Sequence, residues 1–530
     1  MNLDGGPDMI TEDQSSVVRF LSSPTTHAGA AVERIDTHAS IVFLAGERAW
    51  KLKRAVRYAY LDYSTPDRRR AMCEAEVRIN RRTAPDLYRG VAAVTRQADA
   101  GLAIGGAGTP VDWLVEMTRF DESCVFDRLA EAGMLPLRFM DPLAHAIARF
   151  HGTADDRTSQ GGWEAMRRII DGNAAGFKEE AAGVLDPVRC ARVTERSRFV
   201  LDRNCILLDR RRDDGSVRHC HGDLHLRNVV LLDGRPTLFD AIEFNDEFSS
   251  IDVLYDLAFL LMDLWRLGLP RHANVLWNRY MAETGDLDGL PLMPLFLSCR
   301  AAVMAKTSAT AANLQTDAGR RLELQALAND YLTLADGLLE PPPPRLIAVG
   351  GLSGSGKSTL ARDLSPAIGA APGAVLIRSD EIRKTVCGVN LLDRLGPQGY
   401  TEAVSRRVYS ALMELADKVI RGGYAAIADA VFADAADRNA VQHVAREAGV
   451  PFIGLWLEAP ADVLMSRVEG RAPDASDAGV DVVRRQLAYQ VDPAGWTRLD
   501  ASGTRQQVCD AAACTIASSE NKSLRPCTAN

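Results

Sequence analysis

The stretch 345–368 constrains the fold more than any other part of the sequence. It reads RLIAVG, an apolar strand, then GLSGSGKS, then the amphipathic stretch TLARDLSPAI. The spacing G-x-x-x-x-G-K-S between a strand and a helix is typical of a phosphate-binding loop. Its glycines let successive backbone amides turn toward an anion, and the new helix points its positive end at the same place. We therefore expect a nucleotide site here.

Each residue type in this loop has an expected role toward ATP and Mg²⁺. Lys357 would reach the β- and γ-phosphates, and the Ser358 hydroxyl would be a ligand of Mg²⁺. The other residues expected to bind the nucleotide are Gly351, Gly354, Ser355, Gly356 and Thr359.

Strand and helix patterns alternate after the loop. Apolar strands are expected at 345–350, 374–379, 424–430 and 451–457, with helical segments between them. Such alternation predicts a parallel sheet covered on both faces, with ligands at the carboxyl ends of its strands. Asp380 and Asp429 lie at two of these ends.

The second strand runs into Ser379-Asp380-Glu381-Ile382-Arg383. This S-D-x-x-R pattern resembles the small-molecule and polynucleotide kinases of the P-loop class. The resemblance implies that Asp380 orients or deprotonates an acceptor hydroxyl and that Arg383 holds a phosphate. The alternative is that Ser379 or Asp380 only caps the next helix.

Two further features follow the third strand. A carboxylate at Asp429 is expected to hold the Mg²⁺ shell through water; the alternative is that it caps a loop. SRVEGRAPDASDA, which contains Arg467 and Arg471, resembles the mobile lid of gluconate-kinase-like and zeta-toxin-like enzymes. There the arginines close on the γ-phosphate; otherwise the segment is a solvated basic helix end.

Four consecutive prolines at 341–344 favour a stiff, extended spacer and mark a domain boundary. Before them the pattern is helical from about 124 to 340, and a smaller part with two strands around Gly46-Glu47 comes first. A small sheet-plus-helix lobe and a larger helical lobe would leave a cleft between them. The expected organisation is an N-terminal extension over 1–30, a two-lobed domain over 31–338 (small lobe 31–118, helical lobe 119–338), a proline linker over 339–345, a P-loop domain over 346–504 and a flexible tail over 505–530.

The segment HCHGDLHLRN at 219–228 has two interpretations. Its histidines and cysteine nearly form the metallo-hydrolase pattern H-x-H-x-D-H, but Leu224 separates Asp223 from His225. Alternatively, it is a phosphotransferase loop, in which an aspartate base lies five residues before an asparagine metal ligand. Asp223 and Asn228 have that spacing, and the histidines would then support the loop.

A predicted hairpin favours the second interpretation. Strands NVVLL and RPTLFD flank Asp233-Gly234, a strong two-residue turn signal. Pairing about this turn sets Asn228 opposite Phe239 and beside Asp240. Two metal-type ligands therefore meet at one end of the hairpin, as in a kinase active site.

HGDLHLRN, followed by LFDAIEFND and YDLA, resembles the aminoglycoside-phosphotransferase-like kinases over about residues 30–335. The resemblance implies Asp223 as the catalytic base and Asn228 and Asp240 as Mg²⁺ ligands. It makes Asp252 and Asp256 structural residues of the loop.

RAWKLK resembles the strand that carries the phosphate-binding lysine of these kinases. Lys51 is the first choice for that lysine and Lys53 the second, with Glu76 or Glu74 as the helix partner. The adenine-binding hinge is expected near Glu116-Met117. One departure is the absence of a G-x-G-x-x-G loop before Lys51, which leaves open a slow or degenerate kinase.

Composition limits the partners. The chain has 530 residues and a net charge of −8, so it is a poor general binder of nucleic acid or anionic lipid. Its ten cysteines lack a C-x-x-C pair, which indicates reduced thiols. No apolar run reaches the ~18 residues of a membrane span. We expect a cytoplasmic protein with a small-molecule partner, and neither nucleic acid nor membrane.

The expected fold class is an α+β, protein-kinase-like, two-lobed domain followed by an α/β P-loop domain with a parallel sheet. The expected function is an ATP- and Mg²⁺-dependent phosphotransferase with two nucleotide sites and a hydroxyl acceptor. One rival is a nucleotide sensor with a degenerate kinase-like domain; a less favoured one is an aminoglycoside resistance kinase. The sequence does not identify the acceptors.

Overall fold

The computed structural model describes residues 10–58, 60–470, 475–489 and 491–523. The chain divides into two units. One unit holds residues 1–269 and 292–339, and the other holds residues 270–291 and 340–530.

The first unit begins with a small lobe. Its elements are α1 (Ser15–Leu21), β1 (Val32–Asp36), β2 (Ser40–Ala45), β3 (Arg48–Lys53), β4 (Arg57–Tyr58), β5 (Leu61–Asp62), α2 (Pro66–Asn80), β6 (Tyr88–Arg96), β7 (Leu102–Ile104) and β8 (Thr109–Thr118). An antiparallel sheet has the strand order β1-β2-β3-β8-β6-β7. Strands β2 and β3 pair around the turn at Gly46-Glu47, as the sequence predicts.

Each face of this sheet is covered by a helix. Val17 and Leu21 of α1 pack with Phe43 and Trp50 of the sheet. On the other face, α2 contributes apolar side chains to a second core. Part of the predicted N-terminal extension over 1–30 is therefore a helix of the small lobe, because its apolar side chains are buried against the sheet.

A mostly helical lobe follows. Its first part contains α3 (Phe126–Glu131), α4 (Met140–Thr153), α5 (Gly162–Glu179), α6 (Pro187–Arg203), α7 (Cys205–Asp213), β9 (Val217–His219), β10 (Val229–Leu232), β11 (Arg235–Leu238), α8 (Asp246–Ser249), β12 (Ser250–Asp252) and α9 (Val253–Arg266). Strands β10 and β11 form the predicted hairpin, with Val229 opposite Leu238. At the open end of the hairpin, Asn228 precedes one strand, and Phe239 and Asp240 follow the other.

The next three helices divide between the units. They are α10 (Pro270–Thr284), α11 (Met293–Leu314) and α12 (Ala318–Leu338). Helices α11 and α12 belong to the first unit, whereas α10 belongs to the second. The prediction that α10 belongs to the helical lobe over 119–338 is therefore wrong. Sequence periodicity identifies a helix, but it does not identify the neighbour that the helix packs against.

The second unit is a parallel α/β structure. Its remaining elements are β13 (Leu346–Gly351), α13 (Lys357–Leu364), β14 (Val375–Arg378), α14 (Ser379–Cys387), α15 (Glu402–Arg421), β15 (Ala426–Asp429), α16 (Ala435–Glu447), β16 (Phe452–Glu458), α17 (Ala461–Glu469), α18 (Val480–Gln486), β17 (Thr497–Asp500) and α19 (Arg505–Ser523). The strand order is β14-β15-β13-β16-β17, all parallel. The predicted fold class is thus confirmed.

The prediction of a flexible tail over 505–530 is wrong for residues 505–523. Helix α19 brings Val508, Ala512 and Ile516 into the core of the second unit. These residues recur every four positions on one helical face, a pattern that the polar residues around them obscure in the sequence. Residues 524–530 lie outside the described part of the chain.

Among the described residues, no helix combines the length and apolarity that crossing a membrane requires.

Helix α10 is fastened to the second unit by a buried amide. Asn274 Nδ2 donates to the carbonyls of Pro372 (3.1 Å) and Ala374 (3.2 Å), and its Oδ1 accepts from Ser365 Oγ (2.6 Å). Trp277 of the same helix packs against Tyr424, with ring centroids 5.9 Å apart. The Asn274 amide thus provides hydrogen-bond partners for two backbone carbonyls and a hydroxyl group that are buried away from water.

We predict that Asn274→Ala lowers the free energy of unfolding of the second unit by about 1–3 kcal/mol, because buried polar groups lose their partners. Urea titration of the full chain measures this loss. Ala282→Ser, an exposed change on the same helix, is the control and should change stability by less than about 0.5 kcal/mol. Equal stabilities for the two variants would contradict the role given to the Asn274 amide.

Candidate functional site

Strand β3 presents two lysines on one face, because alternate residues of a strand point the same way. Lys51 Nζ lies 2.9 Å from Glu76 Oε1 and 2.7 Å from Asp240 Oδ1. The structure thus brings together Lys51, Glu76 and Asp240, which the sequence analysis selects. Glu74, the alternative partner, is about half exposed and pairs with Arg70 on its own helix.

The second lysine is more deeply buried than the first. Lys53 has no exposed surface, and its Nζ lies 2.6 Å from Glu76 Oε2. It also forms an ion pair with Glu243 and lies 3.4 Å from Tyr63 Oη. Glu243 and Tyr63 are not among the site residues predicted from the sequence. The available signal was the spacing of Lys51 and Lys53, since a second inward lysine requires a second buried carboxylate.

Electrostatics keep this cluster charged. Burial opposes the ionisation of Glu76, but Lys51 and Lys53 outweigh it and lower the pKa of Glu76 from 4.5 to about 2. Burial also disfavours the two ammonium groups, yet the surrounding carboxylates hold the pKa of each lysine well above its usual value. Lys51 therefore carries a positive charge, which is the charge that the predicted phosphate-binding role requires.

The loop between β9 and β10 brings the side chains of Asp223 and Asn228, two further predicted site residues, into contact. Asn228 Nδ2 donates to Asp223 Oδ2 (3.0 Å) and to the Asp223 carbonyl (2.9 Å). His225 Nε2 lies 3.2 Å from the same Asp223 oxygen. Because Asn228 turns its amide nitrogen toward Asp223, its amide oxygen points away from that carboxylate and suits a cation.

A buried carboxylate beneath the loop sets its shape. Asp256 accepts the backbone N–H groups of His221 (3.0 Å) and Gly222 (2.9 Å), and lies 3.1 Å from His151 Nε2. Gly222 has a φ of 83°, and a Cβ there would lie 2.9 Å from the Phe248 carbonyl oxygen. The structure thus gives Asp256 the supporting role expected for it. Asp252 caps α9 and pairs with Arg211.

The histidines of this loop have separate partners. His221 Nε2 lies 3.0 Å from the Phe239 carbonyl, and His225 faces Asp223. Within the described ranges, the group that could gather around a metal is instead His151, Cys220 and Asp256, all buried. This arrangement favours the phosphotransferase interpretation over the H-x-H-x-D-H metal interpretation.

Asp240 lies at the open end of the β10–β11 hairpin, directly after Phe239. Phe239 N donates to the Asn228 carbonyl (3.0 Å), and Asp240 N donates to Tyr88 Oη (3.1 Å). Asp240 has a φ of 61°, the left-handed region, and its side chain is 43% exposed. Carboxylate and amide oxygens are ligands that Mg²⁺ prefers, so Asp240 and Asn228 fit a divalent cation.

The phosphate-binding loop in the second unit has the expected backbone. Gly354 and Gly356 have φ values of 85° and 92°, and a Cβ on Gly354 would collide with the Leu464 carbonyl. Helix α13 begins at Lys357, whose Nζ donates to the Leu352 carbonyl at 3.0 Å. The buried Ser355 hydroxyl has no hydrogen-bond partner among the described residues. A narrow cradle that ends in a helix N-terminus fits a phosphate chain. The remaining residues predicted to bind the nucleotide flank the loop: Gly351 ends β13, and Ser358 and Thr359 lie in the first turn of α13.

A cavity of about 310 Å³ adjoins this loop. It is lined by Gly354, Ser355, Gly356, Thr359, Leu360, Asp363, Arg467, Ala501, Gly503, Arg505 and Val508. Arg467 donates to the Gly503 carbonyl at 3.4 Å across it. Arg471, the other predicted lid arginine, lies outside the described residues.

Asp380, Arg383 and Asp429, the other predicted site residues of the second unit, have different surroundings. Asp380 lies in the first turn of α14. Arg383 is buried, donates to the Gly399 carbonyl (2.9 Å) and packs over the Tyr400 ring. It therefore holds the 396–400 segment in addition to any role toward phosphate. Asp429 ends β15 and lies 3.5 Å from Arg378 Nε.

Sequence comparisons match the second unit to a known family and most of the chain to an uncharacterized protein. Residues 346–493 match the sequence model of a family described as an AAA domain. An uncharacterized protein of Mycobacterium tuberculosis is 29% identical over 480 residues, 89% of this chain and 93% of that protein. The adenylyl-sulfate kinase of Myxococcus xanthus is 32% identical over 117 residues, 22% of this chain and 59% of that enzyme. The family match confirms the predicted P-loop domain.

Solved structures are similar to each part of the chain. A gluconokinase from Sinorhizobium meliloti covers 34% of this chain and 98% of its own, with 20% identity and a TM-score of 0.27. A choline/ethanolamine kinase family protein from Mesorhizobium loti covers 61% of this chain and 99% of its own, with 14% identity and a TM-score of 0.34. The relatives named here by an activity are kinases.

The Asp223–His225 contact predicts a pH-dependent charge pair. Burial opposes both charges, but the attraction and the hydrogen bond between the two groups outweigh it. The pKa of Asp223 is therefore lowered and that of His225 is raised above 6.5. The stabilisation from His225 is fully present below its unfolded pKa and is lost as pH rises through the raised value.

We predict that the pKa of His225 falls in Asp223→Asn, because burial remains while the carboxylate charge is gone. An NMR titration of the imidazole measures it, with His225→Gln to assign the resonance. The same pKa in wild type and Asp223→Asn would show that the two groups do not interact.

Proposed function

We propose that this chain is an ATP- and Mg²⁺-dependent phosphotransferase with two nucleotide sites, which transfers the γ-phosphate to a hydroxyl of a small molecule. The observation that carries the proposal is the joint placement of Lys51, Glu76 and Asp240 in the unit that also joins Asp223 to Asn228. The phosphate cradle at Gly354–Lys357 supports the second site. The free thiols of the described cysteines support a reducing, cytoplasmic setting.

In the first unit, Lys51 would hold ATP phosphate oxygens, and Asn228 with Asp240 would hold Mg²⁺. The metal supplies positive charge that offsets the charge developing on the phosphates. Asp223 is ionised and can accept a hydrogen bond from the acceptor hydroxyl. In the transfer, the acceptor oxygen would bond to the γ-phosphorus while the bond to the leaving ADP oxygen breaks, and Asp223 would take the hydroxyl proton.

In the second unit, the backbone amides of the loop would surround the phosphates, with Lys357 and Ser358 at the β/γ end. Arg467 and Arg471 would close on the nucleotide. Asp380 and Arg383 would face the acceptor, and Asp429 would hold the Mg²⁺ shell through water. The acceptor of this unit need not be that of the first.

One observation favours the nucleotide-sensor alternative. Ala45 pairs directly with Arg48, so β2 and β3 are joined by a tight turn at Gly46-Glu47 and not by a glycine-rich flap. Such a turn leaves the phosphates less covered. Retention of the Asp223, Asn228 and Asp240 set favours catalysis. An aminoglycoside resistance kinase stays a weaker candidate, since it would not need the second unit.

We predict that Asp223→Asn lowers phosphate transfer by the first unit about 100-fold or more, while ATP binding is retained. The measurement is transfer of radiolabelled γ-phosphate to a panel of hydroxyl metabolites, in a Lys357→Ala background that silences the second unit. Asp233→Asn, on the exposed hairpin turn, is the matched control and should leave the rate unchanged. Wild-type rates in Asp223→Asn would overturn its assignment.

We predict the reciprocal result for Lys357→Ala. In an Asp223→Asn background, this change should abolish the remaining ATP-dependent transfer, because Lys357 is needed to hold the phosphates. The same metabolite panel measures it. ATP binding without turnover in the wild-type chain would favour the sensor.

A further inference from the structure

A second buried group lies beside Lys51, Glu76 and Asp240 and has no part in the proposed transfer. That group consists of Lys53, Glu243 and Tyr63. Lys53 has no exposed surface, Tyr63 is 2% exposed, and the Glu243 side chain is 7% exposed. Tyr63 Oη donates to Glu243 Oε1 at 2.7 Å, and Lys53 forms an ion pair with the same oxygen.

Glu76 connects this group to the phosphate-binding lysine. One of its carboxylate oxygens faces Lys51 and the other faces Lys53. Each lysine has a second carboxylate, which is Asp240 for Lys51 and Glu243 for Lys53. The segment 240–243 thus supplies one carboxylate on the open side of the cluster and one inside it.

The segment that carries both carboxylates needs to be held. Asp240 has a left-handed φ of 61°, which is unfavourable for a residue with a side chain. Ala241 N donates to Asn80 Oδ1 (2.8 Å), and Ile242 N donates to the His221 carbonyl (3.0 Å). At the end of the segment, the Glu243 side chain supplies its charged attachment.

The two ion pairs differ in what nucleotide binding would do to them. Lys51 would share its ammonium group with phosphate and Asp240 would share its carboxylate with Mg²⁺, so the 2.7 Å contact between them would weaken. The pair of Lys53 and Glu243 is buried away from solvent, and neither residue has a proposed role in binding phosphate. It can keep Glu76 and the 240–243 segment in place when the first pair opens.

We propose that Glu243 is a positioning residue for the Mg²⁺ site, which acts through Lys53 and Tyr63 to hold the segment that presents Asp240. The inference rests on the proposed function of this site. Residues that orient metal ligands without touching the metal commonly change metal affinity 10- to 100-fold. Neutralising Glu243 without changing its shape should therefore weaken metal binding.

The test uses Glu243→Gln in the full chain with the Lys357→Ala background, so that metal binding reports on the first unit. Mn²⁺ is titrated by electron paramagnetic resonance with a non-hydrolysable ATP analogue. The expected result is a dissociation constant for Mn²⁺ raised about tenfold or more relative to the parent. Glu247→Gln, an exposed change four residues further on, is the matched control and should leave it unchanged.

A second readout separates positioning from general damage. If Glu243 acts through Asp240, saturating Mg²⁺ should restore kcat in Glu243→Gln to near the parent value, while the Mg²⁺ concentration for half-maximal rate stays raised. A loss of kcat that excess Mg²⁺ does not restore would overturn the proposal. So would an unchanged Mn²⁺ dissociation constant.

Tyr63→Phe keeps the test decisive if Glu243→Gln does not fold. It removes the hydrogen bond to Glu243 and leaves every charge paired, so the expected result is a smaller rise, about threefold, in the Mn²⁺ dissociation constant. No rise would overturn the proposal. Failure of the proposed function would appear separately, as Mn²⁺–nucleotide binding by the parent without phosphate transfer. No Mn²⁺ binding by the parent would overturn both.

Discussion

The first unit depends on the ion pairs that the Glu76 carboxylate forms with Lys51 and Lys53. The carboxylate is fully buried between two lysines of one strand, and each of its oxygens holds one ammonium group. Removing one partner of a buried ion pair generally costs about 3–5 kcal/mol, because the other charge is left without compensation. This contact fixes helix α2 to strand β3, and through Lys51 and Lys53 it reaches Asp240 and Glu243. The geometry of the 240–243 segment follows from it.

The proposed function requires both units to hold a highly charged ligand, and each would do so by different means. In the first unit the positive charge comes from a side chain, Lys51, and buried carboxylates keep that lysine in position. In the second unit much of it comes from backbone amides and a helix N-terminus, so the need is for glycines with positive φ at Gly354 and Gly356. The first solution requires residues distant in sequence, whereas the second lies within one strand–loop–helix segment.

That difference explains what the sequence could predict. The loop at 351–358, the hairpin with Val229 opposite Leu238, and strands β2 and β3 all depend on local patterns, and the structure contains them. Helix α10 has a clear helical pattern, but its packing in the second unit depends on Asn274 reaching carbonyls about a hundred residues away. Helix α19 was missed because its apolar face is narrow. Glu243 and Tyr63 were missed because only the folded chain brings them to Lys53.

The number of nucleotides that one chain binds decides whether the first unit is a nucleotide site. Calorimetric titration with a non-hydrolysable ATP analogue and Mg²⁺ gives this number without requiring an acceptor. The account requires two nucleotides per wild-type chain, and one per chain for Lys357→Ala and for Lys51→Ala. A wild-type chain that binds a single nucleotide, with all binding lost in Lys357→Ala, would show that the first unit is not a nucleotide site and would contradict the central claim.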